Sequence, residues 1–92
     1  MYERTVKVRN KTGLHARPAS LFVRCAKDFK SKIMLQKTSG EGDPIEAKSI
    51  LMLLAGAVGQ GEEIKISAEG EDEVAAVDAL VALIESGFGE EE

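Results

Sequence analysis

The chain has 92 residues, 43% of them hydrophobic, which is material for one domain around a single core and too little for two. Three Phe, one Tyr and no Trp leave few rings for stacking on bases or sugars, which argues against a nucleic-acid binder. The net charge of -4 conceals an asymmetry: residues 1–37 carry ten Lys/Arg against two Asp/Glu, and residues 38–92 carry two against fourteen. Either the two halves neutralise each other on folding, or a basic face stays open to an acidic partner, or both.

The first residues, Met1-Tyr2-Glu3-Arg4-Thr5-Val6, lack the apolar run of a signal peptide. No later stretch approaches the roughly 20 apolar residues that span a bilayer, so a cytoplasmic protein without membrane insertion is expected. Val6 and Val8 alternate with Lys7 and Arg9 as a strand with one buried face, ending near Arg9. Asn10-Lys11-Thr12-Gly13 supplies turn chemistry. Pro18 is tolerated only in the first turn of a helix, which places a helix start at about Ala16 to Pro18, with Leu21, Phe22, Cys25, Ala26 and Phe29 on its buried stripe. Cys25 stands alone, so it reads as a small buried thiol in a reducing compartment.

Ile33 and Leu35 begin a hairpin whose loop is Thr38–Pro44 and whose second arm is Ile45-Glu46-Ala47. Ser49 is placed to cap a second helix, Ile50-Leu51-Met52-Leu53-Leu54-Ala55, with Gly56 as a left-handed stop. That helix is apolar nearly all round, and a domain of this size can scarcely bury every side, so part of it is expected to meet a partner. Ile64, Ile66 and Ala68 alternate as a fourth strand. A third helix is expected over about 71–86, with acids at its start, Val74, Val77, Leu80, Val81 and Ile84 buried, and Gly87 after its end. The order β-α-β-β-α-β-α with one-faced strands predicts an α+β fold, a four-stranded antiparallel sheet with helices on one side. The tail Gly89-Glu90-Glu91-Glu92 reads as disordered, leaving residues 1–88 as the domain.

His15 is the only histidine, and it falls where the turn becomes the first helix. The opening N–H groups of a helix lack internal acceptors, and Pro18 removes only one of them, so the remainder suit an anion such as a phosphoryl group. Ser, Thr, Asp or Asn usually caps such donors, yet His15, Ala16 and Arg17 occupy the candidate positions. Donors reserved for a transient ligand would explain the break, unless Thr12 reaches them from the loop. Phosphoryl transfer needs a nitrogen nucleophile and donors for the equatorial oxygens, and the Ala16 and Arg17 amides with the Arg17 guanidinium supply the latter. The same residues also fit a surface histidine with no task, and spacing alone does not decide. No Gly-rich phosphate loop, no metal-ligand cluster and no cofactor motif is visible, so His15 would be a substrate residue and the chain no autonomous enzyme.

At Gly13-Leu14-His15-Ala16-Arg17-Pro18-Ala19 and Lys48-Ser49-Ile50 the sequence resembles the HPr family, the histidine-containing phosphocarriers of the bacterial phosphoenolpyruvate-dependent sugar phosphotransferase system. The likeness runs from about Arg4 to Phe88 and implies an open-faced β-sandwich with three helices. It further implies that His15 is phosphorylated through Nδ1, that Arg17 holds the phosphate and that Ser49 is the counterpart of a regulatory serine. The partners implied are enzyme I as donor and enzyme IIA domains as acceptors, docking on Ser20, Ile50, Leu51 and Leu54, with a serine kinase and a transcription regulator as further partners; the sequence does not fix the oligomeric state, and a monomer is the default expectation. The loop Thr38–Pro44 is longer than usual for the family, and the run Leu51–Gly56 departs from its common pattern, which bears on partner preference. Two rivals differ in class: an HPr-shaped regulator acting through Ser49 and the second helix, which the presence of both His15 and Arg17 opposes, and an RNA-binding module of the same element order, which lacks the ring pair on its strands.

Overall fold

The one-faced strands form a sheet because each has a single apolar row to hide. In a computed structural model that describes residues 1–89, the elements are β1 (Tyr2–Lys7), α1 (Ala16–Lys27), β2 (Lys32–Lys37), β3 (Ile45–Glu46), α2 (Ile50–Ala55), β4 (Glu63–Glu69) and α3 (Glu73–Glu85), followed by a 3-10 turn (Gly87–Gly89). The sheet order is β1-β4-β2-β3, and every neighbouring pair is antiparallel. Register brings Val6 opposite Ile64 and Leu35 opposite Ile66, so the apolar rows share one face. The three helices cover that face, giving the α+β open-faced sandwich the element order predicts, with Phe22, Ala26, Leu53, Val77, Leu80 and Ile84 completing the core. On the uncovered face the exposed Glu3 of β1 pairs with Lys65 of β4.

Four expectations shift by small amounts. The ladder of β1 stops at Lys7, and Val8 is buried beyond it with its N–H donated to the Glu62 carbonyl at 2.9 Å. The buried stripe of α1 centres on Pro18, Ala19, Phe22, Val23 and Ala26, leaving Leu21, Cys25 and Phe29 half-buried at its edge. Burial and the neighbouring Asp28 push the Cys25 thiol up, so it is a poor nucleophile where it stands. Val74 is 51% exposed and Ala76 takes the inward place at the start of α3, because alanine fits close helix-to-sheet packing and leaves the larger side chain outside. At the C-terminal end Phe88 is buried, as the last residue of the expected domain, and Gly89, the first residue of the expected tail, closes the 3-10 turn; the rest of that tail, Glu90–Glu92, lies outside the described residues.

The charge asymmetry is resolved in part by folding. Arg4 reaches Asp78 at 3.1 Å and Lys37 reaches Glu62 at 3.2 Å, each joining the basic half to the acidic half. Arg17, Arg24 and Lys27, all exposed on α1, make no ion pair among the described residues, so a basic stripe remains.

One carboxylate holds the two ends of the helical layer together. Asp72 accepts from the N–H groups of Lys30 at 2.8 Å and Ser31 at 2.9 Å and from the Ser31 hydroxyl, docking the corner between α1 and β2 onto the start of α3. Gly70 permits this approach, since a Cβ there would lie 2.6 Å from the Ser31 hydroxyl. The Ser31 hydroxyl first, and then the Lys30 N–H, hold the Asp72 carboxyl below the usual carboxylate range. A pKa lowered by folding stabilises the native state above the unfolded value, and that contribution is lost as pH falls through the folded value. Asp72→Ala is expected to lower the thermal midpoint by several degrees near pH 7, with the gap from the unsubstituted chain closing as acid protonates the carboxyl, measured by circular dichroism melts across a pH series.

Candidate functional site

The loop before α1 is built to place His15. Gly13 closes the turn by donating its N–H to the Asn10 carbonyl at 3.2 Å, and the Asn10 side-chain amide donates to the Gly13 carbonyl at 2.9 Å. Gly13 has a φ of +69° and sits so close to the segment after α2 that a Cβ would lie 2.6 Å from the Val58 carbonyl oxygen and 2.8 Å from the Gly59 Cα. Only glycine meets both demands. Leu14, fully buried, donates its N–H to that same Val58 carbonyl at 2.9 Å. The residue before His15 is thus pinned on both its side chain and its backbone.

From there the chain turns abruptly. His15 is extended, at φ -134° and ψ 164°, and Ala16 then adopts a φ of 52°, a left-handed conformation that costs a non-glycine residue about 1–3 kcal/mol. The helix begins at this residue. Ala19 donates to the His15 carbonyl at 3.4 Å, and Pro18, buried, has no N–H to give. The N–H groups of Ala16 and Arg17 find no acceptor among the described residues, and the half-buried His15 side chain does not cap them. Ser20 and Arg17 are exposed one turn apart beside this opening. The result is a half-exposed imidazole next to two unpaired amides and an uncommitted guanidinium, which is a place for a tetrahedral anion.

The second cluster of expected residues lies on α2. Ser49 caps that helix, its hydroxyl accepting the Met52 N–H at 3.2 Å and its carbonyl the Leu53 N–H at 3.0 Å. Leu53 is fully buried, while Leu51 is 77% exposed and Ile50, Met52 and Leu54 are exposed as well. The helix therefore presents Ile50, Leu51, Met52 and Leu54 outward. Met52 belongs with the three expected residues, and the sequence could not single it out because a run with no polar face gives no phase. Gly56 differs from expectation: its φ is -69°, and the left-handed position passes to Ala57, at φ 52°. Gly56 leaves room for Ile45 as it is packed, since a Cβ there would lie 2.2 Å from the Ile45 Cδ1 and the end of that side chain would have to move.

The two clusters adjoin. Helices α1 and α2 pack against each other, and the hydrogen bond from Leu14 to Val58 ties the residue before His15 to the segment leaving α2. Ser49 lies at the opposite end of that helix, six residues or about 9 Å along its axis from Ala55. Lys48 anchors this far end, its Nζ donating to the Phe29 carbonyl at 2.7 Å. Among the described residues no group of His, Cys, Asp and Glu side chains could hold a metal ion, and no helix is long and apolar enough to cross a membrane.

Comparison with known proteins places this geometry. Residues 2–86 match the family model described as the PTS HPr component phosphorylation site. The chain is 45% identical over 91 residues to the phosphocarrier protein HPr of Treponema pallidum, covering 99% of this chain and 100% of that protein. It is 47% identical over 85 residues to the HPr-like protein Crh of Halalkalibacterium halodurans, covering 92% of this chain and 98% of that protein. The crystal structure of HPr-C-His from Thermoanaerobacter tengcongensis superposes with a TM-score of 0.94 at 51% identity, over 100% of both chains. The pinned His15 loop, the open start of α1 and the exposed apolar face of α2 are thus carried by a chain that belongs to the HPr family of phosphocarrier proteins.

Proposed function

We propose that this chain is a cytoplasmic phosphocarrier of the phosphoenolpyruvate-dependent sugar phosphotransferase system, taking a phosphoryl group from enzyme I on His15 and passing it to enzyme IIA domains. The observation that carries this reading is the start of α1, where His15 is followed by two amides without acceptors and by an Arg17 without an ion pair among the described residues. In the transfer, a ring nitrogen of His15, Nδ1 by family likeness, forms a bond to phosphorus as the bond from phosphorus to the donor breaks. The Ala16 and Arg17 amides and the Arg17 guanidinium receive the charge spread over the three equatorial oxygens. Because these donors are already oriented, little reorganisation is needed when charge arrives.

The chain is a carrier and not a catalyst: the partners supply the catalytic groups, and the product is the modified His15 itself. The exposed α2 residues Ile50, Leu51, Met52 and Leu54 give an apolar patch beside that site, and Arg17, Arg24 and Lys27 along α1, without an ion pair among the described residues, attract an acidic face. A monomer suffices, since His15 and its donors come from one chain. The regulator reading is not favoured, because a protein acting through Ser49 alone has no use for the uncapped start of α1.

Ser49 as a regulatory site, addressed by a serine kinase and read by a transcription regulator, is a further part of the reading. Its hydroxyl already accepts a backbone N–H at the start of α2, so a phosphate there would meet a favourable helix end and leave the fold intact. The added charge would instead fall at the edge of the apolar patch and alter docking.

Incubation with enzyme I, Mg²⁺ and labelled phosphoenolpyruvate is expected to give an acid-labile label on the unsubstituted chain and none on His15→Ala. An active enzyme I that leaves the unsubstituted chain unlabelled would overturn the carrier reading. Arg17→Ala is expected to slow label transfer by about tenfold or more while leaving the thermal midpoint in place, read from the same assay and a melt. Ser49→Asp is expected to keep its far-ultraviolet spectrum and melting midpoint but to raise the KM of the chain as a substrate for enzyme I; unchanged transfer rates would remove Ser49 from the scheme.

A further inference from the structure

The position of His15 is set through backbone atoms of another segment. Leu14 hangs from the Val58 carbonyl at 2.9 Å, and Gly13 lies against Val58 and Gly59 with no room for a Cβ. Wherever residues 58 and 59 sit, the imidazole and the donors beyond it follow. Yet that segment runs into Gly59-Gln60-Gly61, a stretch with two glycines and a φ of +89° at Gly61, which has little stiffness of its own. Its far end is held to the chain after β1 by the bonds from Gly61 to the Val8 carbonyl at 2.8 Å and from Val8 to the Glu62 carbonyl at 2.9 Å.

Its near end is held by the fully buried Val58, by a long backbone bond from the Glu62 N–H to the Gly59 carbonyl at 3.3 Å, and by a side chain that takes the Gly59 N–H itself. The Glu62 carboxylate accepts the Gly59 N–H through Oε2 at 2.6 Å and the Lys37 ammonium through Oε1 at 3.2 Å. Lys37 closes β2, whose register with Ile64 of β4 fixes it in the sheet, and its side chain is only 12% exposed against 35% for Glu62. The carboxylate therefore bridges the rigid sheet and the pliable turn. The Gly59 N–H first, and Lys37 with it, hold the Glu62 carboxyl below the usual range, so it is ionised near neutrality.

We infer that Glu62, braced by Lys37, is a positioning residue for phosphoryl transfer: by fixing the Gly59 amide it fixes the Val58 carbonyl, and through Leu14 it sets the place of the His15 imidazole and of the Ala16 and Arg17 donors. The inference rests on His15 being the phosphoryl acceptor. Neither Glu62 nor Lys37 touches the transferred group. A displacement of about 1 Å at a reacting atom can cost about a hundredfold in rate, so even a partial release of this tie should register.

The test compares the unsubstituted chain with Glu62→Ala and Glu62→Gln in steady-state phosphorylation by enzyme I, together with amide hydrogen exchange. In Glu62→Ala, kcat is expected to fall by about threefold or more with KM held within about twofold, and the Leu14 and Gly59 amides to lose protection while those of Ile64 and Ile66 keep theirs. Glu62→Gln, whose amide oxygen still accepts from Gly59, is expected to recover most of the rate. A folded Glu62→Ala with unchanged kcat, or one that loses protection evenly across the sheet, would overturn the inference. Should Glu62→Ala fail to fold, Lys37→Met carries the same test, with a smaller fall in kcat and the same two amides affected; no change in either would equally overturn it. An unlabelled unsubstituted chain overturns the carrier reading and this inference together, whereas a labelled one with an unaffected Glu62→Ala overturns this inference alone.

Discussion

The hydrogen bond between the Leu14 amide and the Val58 carbonyl, made possible by the bare Cα of Gly13, is the contact on which the working end of this protein depends. It joins two loops that belong to different parts of the chain, the one that enters α1 and the one that leaves α2. Because Leu14 is also fully buried, the joint is fixed from two directions, and the strained Ala16 that follows can be held in place by its neighbours. Without such an anchor a left-handed alanine would relax, and the first turn of α1 would have no defined direction.

Helices α1 and α2, which carry the candidate site, start in two different ways; α3 also lacks a side-chain cap bond from its N-cap Asp72, whose carboxylate is taken up by Lys30 and Ser31. At α2 the Ser49 hydroxyl takes a backbone N–H in the ordinary manner, so that end is satisfied within the chain. At α1 no side chain of the N-cap residue does so, and two amides stay without protein acceptors among the described residues. Leaving donors unmet costs stability in a solvent-shielded setting but little at an exposed helix end, where water serves until an anion arrives. A phosphoryl group that comes and goes suits that arrangement better than one bound permanently.

Charge and apolar surface are distributed around the same end. Folding pairs two of the ten cationic side chains of the basic half with the acidic half, Arg4 with Asp78 and Lys37 with Glu62, and leaves Arg17, Arg24 and Lys27 along one helix without an ion pair among the described residues. Beside them α2 buries Leu53 and turns its other large side chains outward. A patch that is apolar at the centre with cations along one side offers contact area from the first and partner orientation from the second. Such a patch can serve several partners in turn, as a carrier between a donor and acceptors requires.

Much of this was legible in the residues. Alternation in Ile64-Lys65-Ile66-Ser67-Ala68, the Pro18 that marks a first turn, and Ser49 ahead of an apolar run each encode their element locally, because strand period, proline geometry and capping act over a few residues. The His15 motif and its missing cap could be read in the same way, and with them the family. What only the tertiary structure decided was every matter of contact between distant segments: that Val74 faces solvent while Ala76 packs, that Gly56 makes room for Ile45 where a left-handed stop was expected, and that Glu62 holds the turn on which Leu14 hangs. None of these leaves a local periodic signature, because each depends on how close one backbone comes to another and on which side chain already fills the space between them.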